Sequence, residues 1–474
     1  MSSFTISKSL NPNKVFILQK SGLEKRLDPF YYVPELVELE KKVLVKQPEK
    51  LRNYVLSMAS GATPKTTESE KYYAEKENGI PFLRVQNLSP TGILEFNDCK
   101  YINKETHNGM LKRSQVSEDD LLVKITGVGR MAVASVAPEG FVGNINQHVC
   151  VIKTGSKEIS KTLAAFLNTN IGEKLASRRA TGGTRPALDY PALLSIPIIE
   201  DKRILEITKK VVEQKNENEA EAEKLLASID DYLLNELGIT LPEPLEDRLS
   251  ERVYVRSLKN ISGYRFDPFF YQEKFISNIN AIKNGRYPLK PLFEIIDKNL
   301  IKGTLPNQAE KDGNKEVIQI NCINYDGTIN LNNLLTSKDI FTQEQKLKIG
   351  DVLIVITGAT IGKVSQWIYE GEFWLGGDIV KFQTNQKADN SFVFHLLRSK
   401  PFQTEIKRNV TGATNGHLAP NDIKHFPIPV PPIDKQKKIA DHITEIRKQA
   451  QYLKERTNDL LEQASIEIEN ILIG

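Results

Sequence analysis

KRILEITKKVVEQKNENEAEAEKLLASIDDYLLNELG, residues 202–238, decides how the rest of the chain is organised. Ile204, Val211, Ala222, Leu225, Ile229 and Tyr232 recur in alternating steps of four and three, and Thr208, Lys215 and Asn218 fill the remaining steps. That rhythm predicts a narrow apolar seam on one long helix, stopped by Gly238 and Pro242. At about 1.5 Å per residue the helix is roughly 50 Å long. A helix so polar on its other faces needs a partner for its seam. Residues 435–474 supply one: Ile439, Ile443, Ile446, Ala450, Leu453, Thr457, Leu460 and Ala464 repeat the rhythm. Thr, Lys and Asn within a seam weaken it but help select one partner and one register.

Before each helix stands a stretch of domain size, and the two stretches repeat one another. KRLDPFYY at 25–32 returns as YRFDPFFY at 264–271, and VFIL at 15–18, read as a short strand, returns as VYV at 253–255. Asp28 and Asp267 before proline predict capped helix starts. GATP at 61–64 matches GTLP at 303–306, and IPFLRVQNLSPTG at 80–92 matches VIQINCINYDG at 317–327. DLLVKITG at 120–127 matches DVLIVITG at 351–358, each a buried strand running into a glycine turn and then a second strand. RRATGGTRPALDYPALLSIPI at 178–198 matches KRNVTGATNGHLAPNDIKHFPIP at 407–429. Repetition on this scale is domain duplication, with LPEPLEDR at 241–248 as the linker. The expected class is α+β: two tandem mixed α/β domains, 1–199 and 241–432, each followed by a long helix, 200–240 and 433–474, the helices forming an antiparallel coiled coil.

With 40% hydrophobic and 26% charged residues the composition is that of a folded soluble protein. A net charge of +4 fits a nucleic-acid partner only weakly. Cys99, Cys150 and Cys322 are too far apart for a disulfide framework or a metal-binding Cys pair, and suggest a reducing compartment. No apolar run reaches membrane-spanning length and the first residues lack a signal-peptide core, so a cytoplasmic location is expected.

The chemistry-bearing motifs are few. DPFY and DPFF resemble the Asn/Asp-Pro-Pro-aromatic loop of adenine methyltransferases, but the second proline is absent and no glycine-rich cofactor loop follows a strand. GATIGKVS at 358–365 lacks the spacing of a phosphate loop. The histidines show no metal-ligand spacing and no nucleophile triad is visible. The loops TGGTR (Thr181, Thr184, Arg185) and TGATN (Thr411, Thr414, Asn415) are the most informative. Glycines with small hydroxyls allow close approach to another polymer and offer donors to phosphate oxygens. Arg185 can fork onto guanine and Asn415 can pair with adenine, while Arg178, Arg179, Lys407 and Arg408 add cations beside each loop. Thr357 and Lys363 at the second ITG turn could face a nucleic-acid backbone, Thr126, Arg130 and His417 join the DNA-binding candidates, and Gln147 and His148 are either base-edge readers or plain loop residues. Arg84 aligns with Gln319 and Gln86 with Asn321 as unlike base readers. As plain surface loops these residues would be unremarkable; their recurrence at matching places favours nucleic acid.

The order of these motifs, occurring twice, resembles the specificity subunit of type I restriction–modification systems. The resemblance covers the whole chain and rests on the ITG turn with GATIGKV, the TG loops before proline-ended strands, and DKQKKIADHI opening the last helix. The first copy departs from it at Met131 and Ala132 and lacks the form of Pro431, Pro432 and Gln436 before its helix. The resemblance implies a non-catalytic reader of a bipartite, asymmetric double-stranded DNA target. Methylation subunits, two in number, would carry S-adenosylmethionine, restriction subunits would use ATP and Mg, and this chain would hold no cofactor or metal. Two rivals are a degenerate DNA adenine methyltransferase, which lacks its cofactor loop, and a helical scaffold that binds only protein.

Overall fold

Leu121, Leu122, Val123 and Lys124 are all buried, as are Val352, Leu353, Ile354 and Val355. A strand buried at every residue is covered on both faces, and the fold supplies two covers in each repeat. The computed structural model describes residues 10–24, 26–243, 254–257, 261, 265–306, 313–412 and 416–474. Val253, Tyr264 and most of the 241–248 linker lie outside them. The chain divides into two units, Met1–Glu219 with Lys454–Gly474, and Ala220–Leu453.

In the first unit Ser57–Ser60, Val149–Lys153, Leu121–Lys124 and Ala134–Val136 form an antiparallel sheet in that order. Leu121 and Val123 pack against Leu163, Phe166 and Leu175 of the helices Lys157–Leu167 and Asn170–Arg179. Leu122 and Val151 face the opposite way, onto Leu83, Val116 and Ile145 of a second sheet. That sheet runs Lys100–Ile102, Ile80–Leu83, Val142–Ile145, Gln115–Ser117, with its middle pair parallel. The layers are therefore helices, sheet, sheet.

The second unit repeats them. Ile301–Lys302, Ile379–Phe382, Val352–Val355 and Val364–Gln366 form the central sheet. Val352 and Ile354 face helices, whereas Leu353 and Val355 meet Ile318, Leu375 and the fully buried Trp367. The outer sheet again contains a parallel pair, Lys315–Ile318 with Phe373–Leu375.

The predicted helices span Lys202–Leu237 and Ile433–Ile473. In the first unit Ile204 shares a core with Ile468 and Leu472, and Asn218 Nδ2 donates to Thr457 Oγ1 at 3.1 Å. In the second, Tyr232 lies 4.2 Å from the His442 ring centre, and Lys435 pairs with Glu236. Residue numbers rise along one helix as they fall along the other, so each unit contains an antiparallel helix pair. Beyond Ile229 the buried side chains are Leu233 and Leu237, with Tyr232 only half-buried. There the helix meets a domain core as well as its partner, and the core turns the apolar stripe towards itself.

Two local expectations change. Residues 15–18 form no strand: Lys14 and Val15 bond back to the Asn11 carbonyl in a turn, and no sheet partner follows. The DPF motifs begin 3-10 turns, Pro29–Tyr32 and Pro268–Tyr271, rather than α-helices. Asp267 does cap, accepting from Phe270 N at 3.0 Å, but Asp28 is held by the Arg26 guanidinium instead. That bond keeps the Asp28 carboxyl below its ordinary range. The motif's purpose is visible in what its aromatics touch. Tyr31 lies between Arg26 and Arg178, at 4.6 and 4.1 Å from its ring centre. Phe270 lies between Arg265 and Arg408 at 4.4 and 3.8 Å.

Candidate nucleic-acid interface

Backbone hydrogen bonds carry one strand end to the next in the first unit. The Leu83 carbonyl, at the end of Ile80–Leu83, accepts from Asn146 N at 3.0 Å. The His148 carbonyl accepts from Ile125 N at 2.9 Å, and the Ile125 carbonyl from Leu188 N at 2.8 Å. Thr181 and Ala187 then exchange two bonds of 2.8 Å, closing the TGGTR loop. Gly61 brings the GATP loop against the same turn, where an added Cβ would lie 1.7 Å from the Ile145 carbonyl oxygen. Thr63 bonds to Gln147.

The second unit has the same lattice. The Ile318 carbonyl accepts from Gly376 N at 3.0 Å, Asp378 from Ile356 N at 2.9 Å, and Ile356 from Leu418 N at 2.8 Å. Thr411 and His417 exchange bonds of 2.9 and 2.7 Å, and Gly303 sits against Gly376 as Gly61 sits against Ile145. Gly182 and Gly412 take φ of +96° and +95°, the left-handed region that glycine adopts without penalty. This accounts for the glycine in both TG loops.

These lattices gather several of the expected residues. Gln147, Thr181, Thr184 and Arg185 are exposed, and half-buried Thr126 bridges to Ala187. Burial, and then the Arg185 charge, lower the His148 pKa. In the second unit Thr357 Oγ1 meets His417 Nδ1 at 3.3 Å, Thr411 is exposed, and Lys407 is exposed in the last turn of Lys400–Asn409. Asn321 is exposed, while Gln319 is half-buried with an unpartnered Nε2. Thr414 and Asn415 lie outside the described residues.

Other expected cations turn inward. Arg178 and Arg179 are buried and share the Glu40 carboxylate, and Arg178 Nε donates to the Tyr31 carbonyl at 2.8 Å. Arg408 Nε donates to the Phe270 carbonyl at 3.1 Å, so Arg408 is the counterpart of Arg178, and Lys407 that of Ser177. Arg130 is held by Asn170 Oδ1 at 3.1 Å and by the Asn168 carbonyl. Arg178 and Arg179 are thus buried and paired within the first unit, while Arg130 and Arg408 are half-buried and bonded to neighbouring backbone. Lys363 reaches the Ile323 carbonyl at 2.9 Å and lies 4.4 Å from the Tyr325 ring centre, which fastens one loop to another.

Arg84 and Gln86 stand at the lattice's edge, both bonded to Asp98. Sequence reasoning singled out His148 beside Gln147 but missed Asp98 and Thr63 as neighbours of the readers. Among the described residues no group of three or more His, Cys, Asp or Glu could hold a metal ion, and no helix is long and apolar enough to cross a membrane.

The type I restriction modification DNA specificity domain family matches residues 283–463. The type I restriction enzyme EcoBI specificity subunit of Escherichia coli is 21% identical over 428 residues, which is 88% of this chain and 83% of that protein. The S subunit of a type I restriction-modification system from M. genitalium aligns over 90% of this chain and 94% of its own, at 12% identity and a TM-score of 0.42. A structure described for complex assembly and conformational transition of the type I R-M system aligns over 90% and 97%, at 14% identity and 0.43. Residues 283–463 thus match a type I restriction modification DNA specificity domain, the first half of the chain repeats that framework, and the chain over most of its length is similar to a type I specificity subunit.

Proposed function

We propose that each repeat reads one half of a bipartite, asymmetric duplex DNA target through its loop lattice. The domains at 1–199 and 241–432 are the two readers, and the helices at 200–240 and 433–474 set the gap between half-sites. The observation that carries this reading is one hydrogen-bonded lattice built twice with unlike side chains, Arg84, Gln86 and Arg185 in one and Gln319 and Asn321 in the other, with Asn415 as the sequence counterpart of Arg185. A common framework suits a common way of meeting the duplex, and unlike polar groups suit different base edges, since Arg favours guanine and Asn or Gln favours adenine. Thr126, Gln147, Thr181, Thr184, Thr357, Lys407, Thr411, Thr414 and His417 are the proposed surrounding contacts, with Lys363 shaping the second lattice.

In this reading the chain is the address reader of a cytoplasmic complex. Two methylation subunits bring S-adenosylmethionine, and restriction subunits bring ATP and Mg. The test is single-molecule sequencing for N6-methyladenine in the host genome, with and without this gene. One bipartite motif that disappears on deletion supports the reading. An unchanged methylation pattern in a host where the partner subunits are expressed overturns it.

A further inference from the structure

The antiparallel register of Ile80–Leu83 with Lys100–Ile102 pairs Ile80 with Ile102 and Phe82 with Lys100. Continued one step past the sheet, it sets Arg84 opposite Asp98. The side chains follow the backbone: Arg84 Nη2 donates to Asp98 Oδ2 at 3.0 Å and to the Asp98 carbonyl at 2.7 Å, and Gln86 Nε2 donates to the same Oδ2 at 3.0 Å. One carboxylate oxygen thus holds both proposed readers of the first unit. Asp98 itself is largely exposed, whereas Arg84 is mostly covered, with its Nε buried and unpartnered.

The second repeat answers the same position differently. There Lys315 pairs with Ser337 and Val317 with Leu335, so the continued register sets Gln319 opposite Asn333. Asn333 Nδ2 donates to the Asn321 carbonyl at 2.9 Å. Both units therefore place a third polar side chain against the proposed reading pair. It is a carboxylate where the pair is Arg and Gln, and an amide where the pair is Gln and Asn.

We infer that Asp98 is a positioning and specificity-determining residue of the first unit, fixing Arg84 and Gln86 for base readout from across the strand. An exposed carboxylate beside DNA repels phosphate and lowers affinity for every sequence. Its use lies in direction: a guanidinium held from one side presents its remaining donors along one line, with less freedom lost on binding. The inference rests on the base-reading role proposed above.

The test uses the full chain assembled with its methylation subunits, selecting from a random duplex pool. Asp98→Ala relaxes the same base positions as Arg84→Ala or Gln86→Ala, and affinity for the wild-type site falls roughly tenfold or more. Affinity for unselected DNA holds or rises. In the Arg84→Ala, Gln86→Ala background, adding Asp98→Ala changes the selected site no further. Asp98→Asn, which keeps an acceptor, retains part of the selectivity. An Asp98→Ala chain that selects the wild-type site with undiminished stringency overturns the inference. So does equal loss of selected and unselected binding together with a lowered Tm, which marks a folding role. A wild-type assembly that enriches no site at all defeats the base-reading proposal itself, a separate failure.

Discussion

Arg178 lies with its guanidinium carbon 4.1 Å from the centre of the Tyr31 ring and donates from Nε to the Tyr31 carbonyl at 2.8 Å. Arg408 makes the same pair of contacts with Phe270. The guanidinium ties the start of each domain to the helix that leads into its TG loop. Burial pushes the Arg178 and Arg179 pKa values down, yet guanidinium remains charged, so the Glu40 carboxylate between them is indispensable. Glu40→Gln should remove the carboxylate that pairs with both buried cations and destabilise the first unit by about 3–5 kcal/mol. Urea unfolding checks this, and a loss below about 1 kcal/mol would falsify it.

The inward arginines also change which residues govern salt dependence. Lys407→Ala should weaken binding to all sequences and reduce the salt slope by about one unit. Arg178→Ala should leave the slope of the folded fraction unchanged while lowering Tm. Arg185→Ala should cost roughly 1–3 kcal/mol on the cognate site and relax one base position. Titrations of cognate and random duplexes at several salt concentrations separate the three. Equal slope changes in the Lys407 and Arg178 variants would contradict the placement of Arg178 in the core.

The long helices, the duplication and the two strand-turns were legible because they are written in local period: steps of four and three, apolar runs, glycines at fixed offsets. The inward turn of Arg178 and Arg179 was not. Two arginines in the last turn of a helix look like a solvated end, and nothing nearby names Glu40 as their partner across the fold. Asp98 was hidden for the same reason: its meeting with Arg84 depends on strand register, a tertiary fact. Tyr232 meets His442 as the seam requires, but the burial of Leu233 and Leu237 was not legible, because a heptad pattern does not reveal when a domain core joins the partner helix as a neighbour.

His395 supplies a pH dependence. Its ring is buried, Nε2 meets Thr444 Oγ1 at 3.3 Å, and Nδ1 has no hydrogen-bond partner. Burial, then the charges of Arg447 and Arg398, hold its pKa well below the usual value, so the folded protein keeps it neutral. Below about pH 6.5 the unfolded chain takes up a proton that the folded one excludes, so stability is present above that pH and is lost as pH falls. One such group gives a limiting slope of about 1.4 kcal/mol per pH unit. Unfolding of the wild type and His395→Gln at pH 7.5 and 5.5 should show a smaller pH effect in the variant. Identical pH effects would remove His395 from the account.

The last prediction concerns the helices as a spacer. Asn218 and Thr457 meet across the first unit's helix pair, and Tyr232 meets His442 across the second's. Lengthening one helix alone would put these pairings out of register on one side of the insertion. A heptad added to both, after Glu219 and before Lys454, returns each seam to nearly the same angle, because seven residues fall only about 20° short of two full turns. It adds about 10 Å of helix, and at about 3.4 Å per base pair the proposed gap should grow by roughly three base pairs. Both half-sites should be unchanged, since neither loop lattice is touched. Methylation sequencing of a host carrying the doubly extended chain gives the answer directly. If that chain is folded and active but methylates the original motif with its original gap, the helices do not set the spacing.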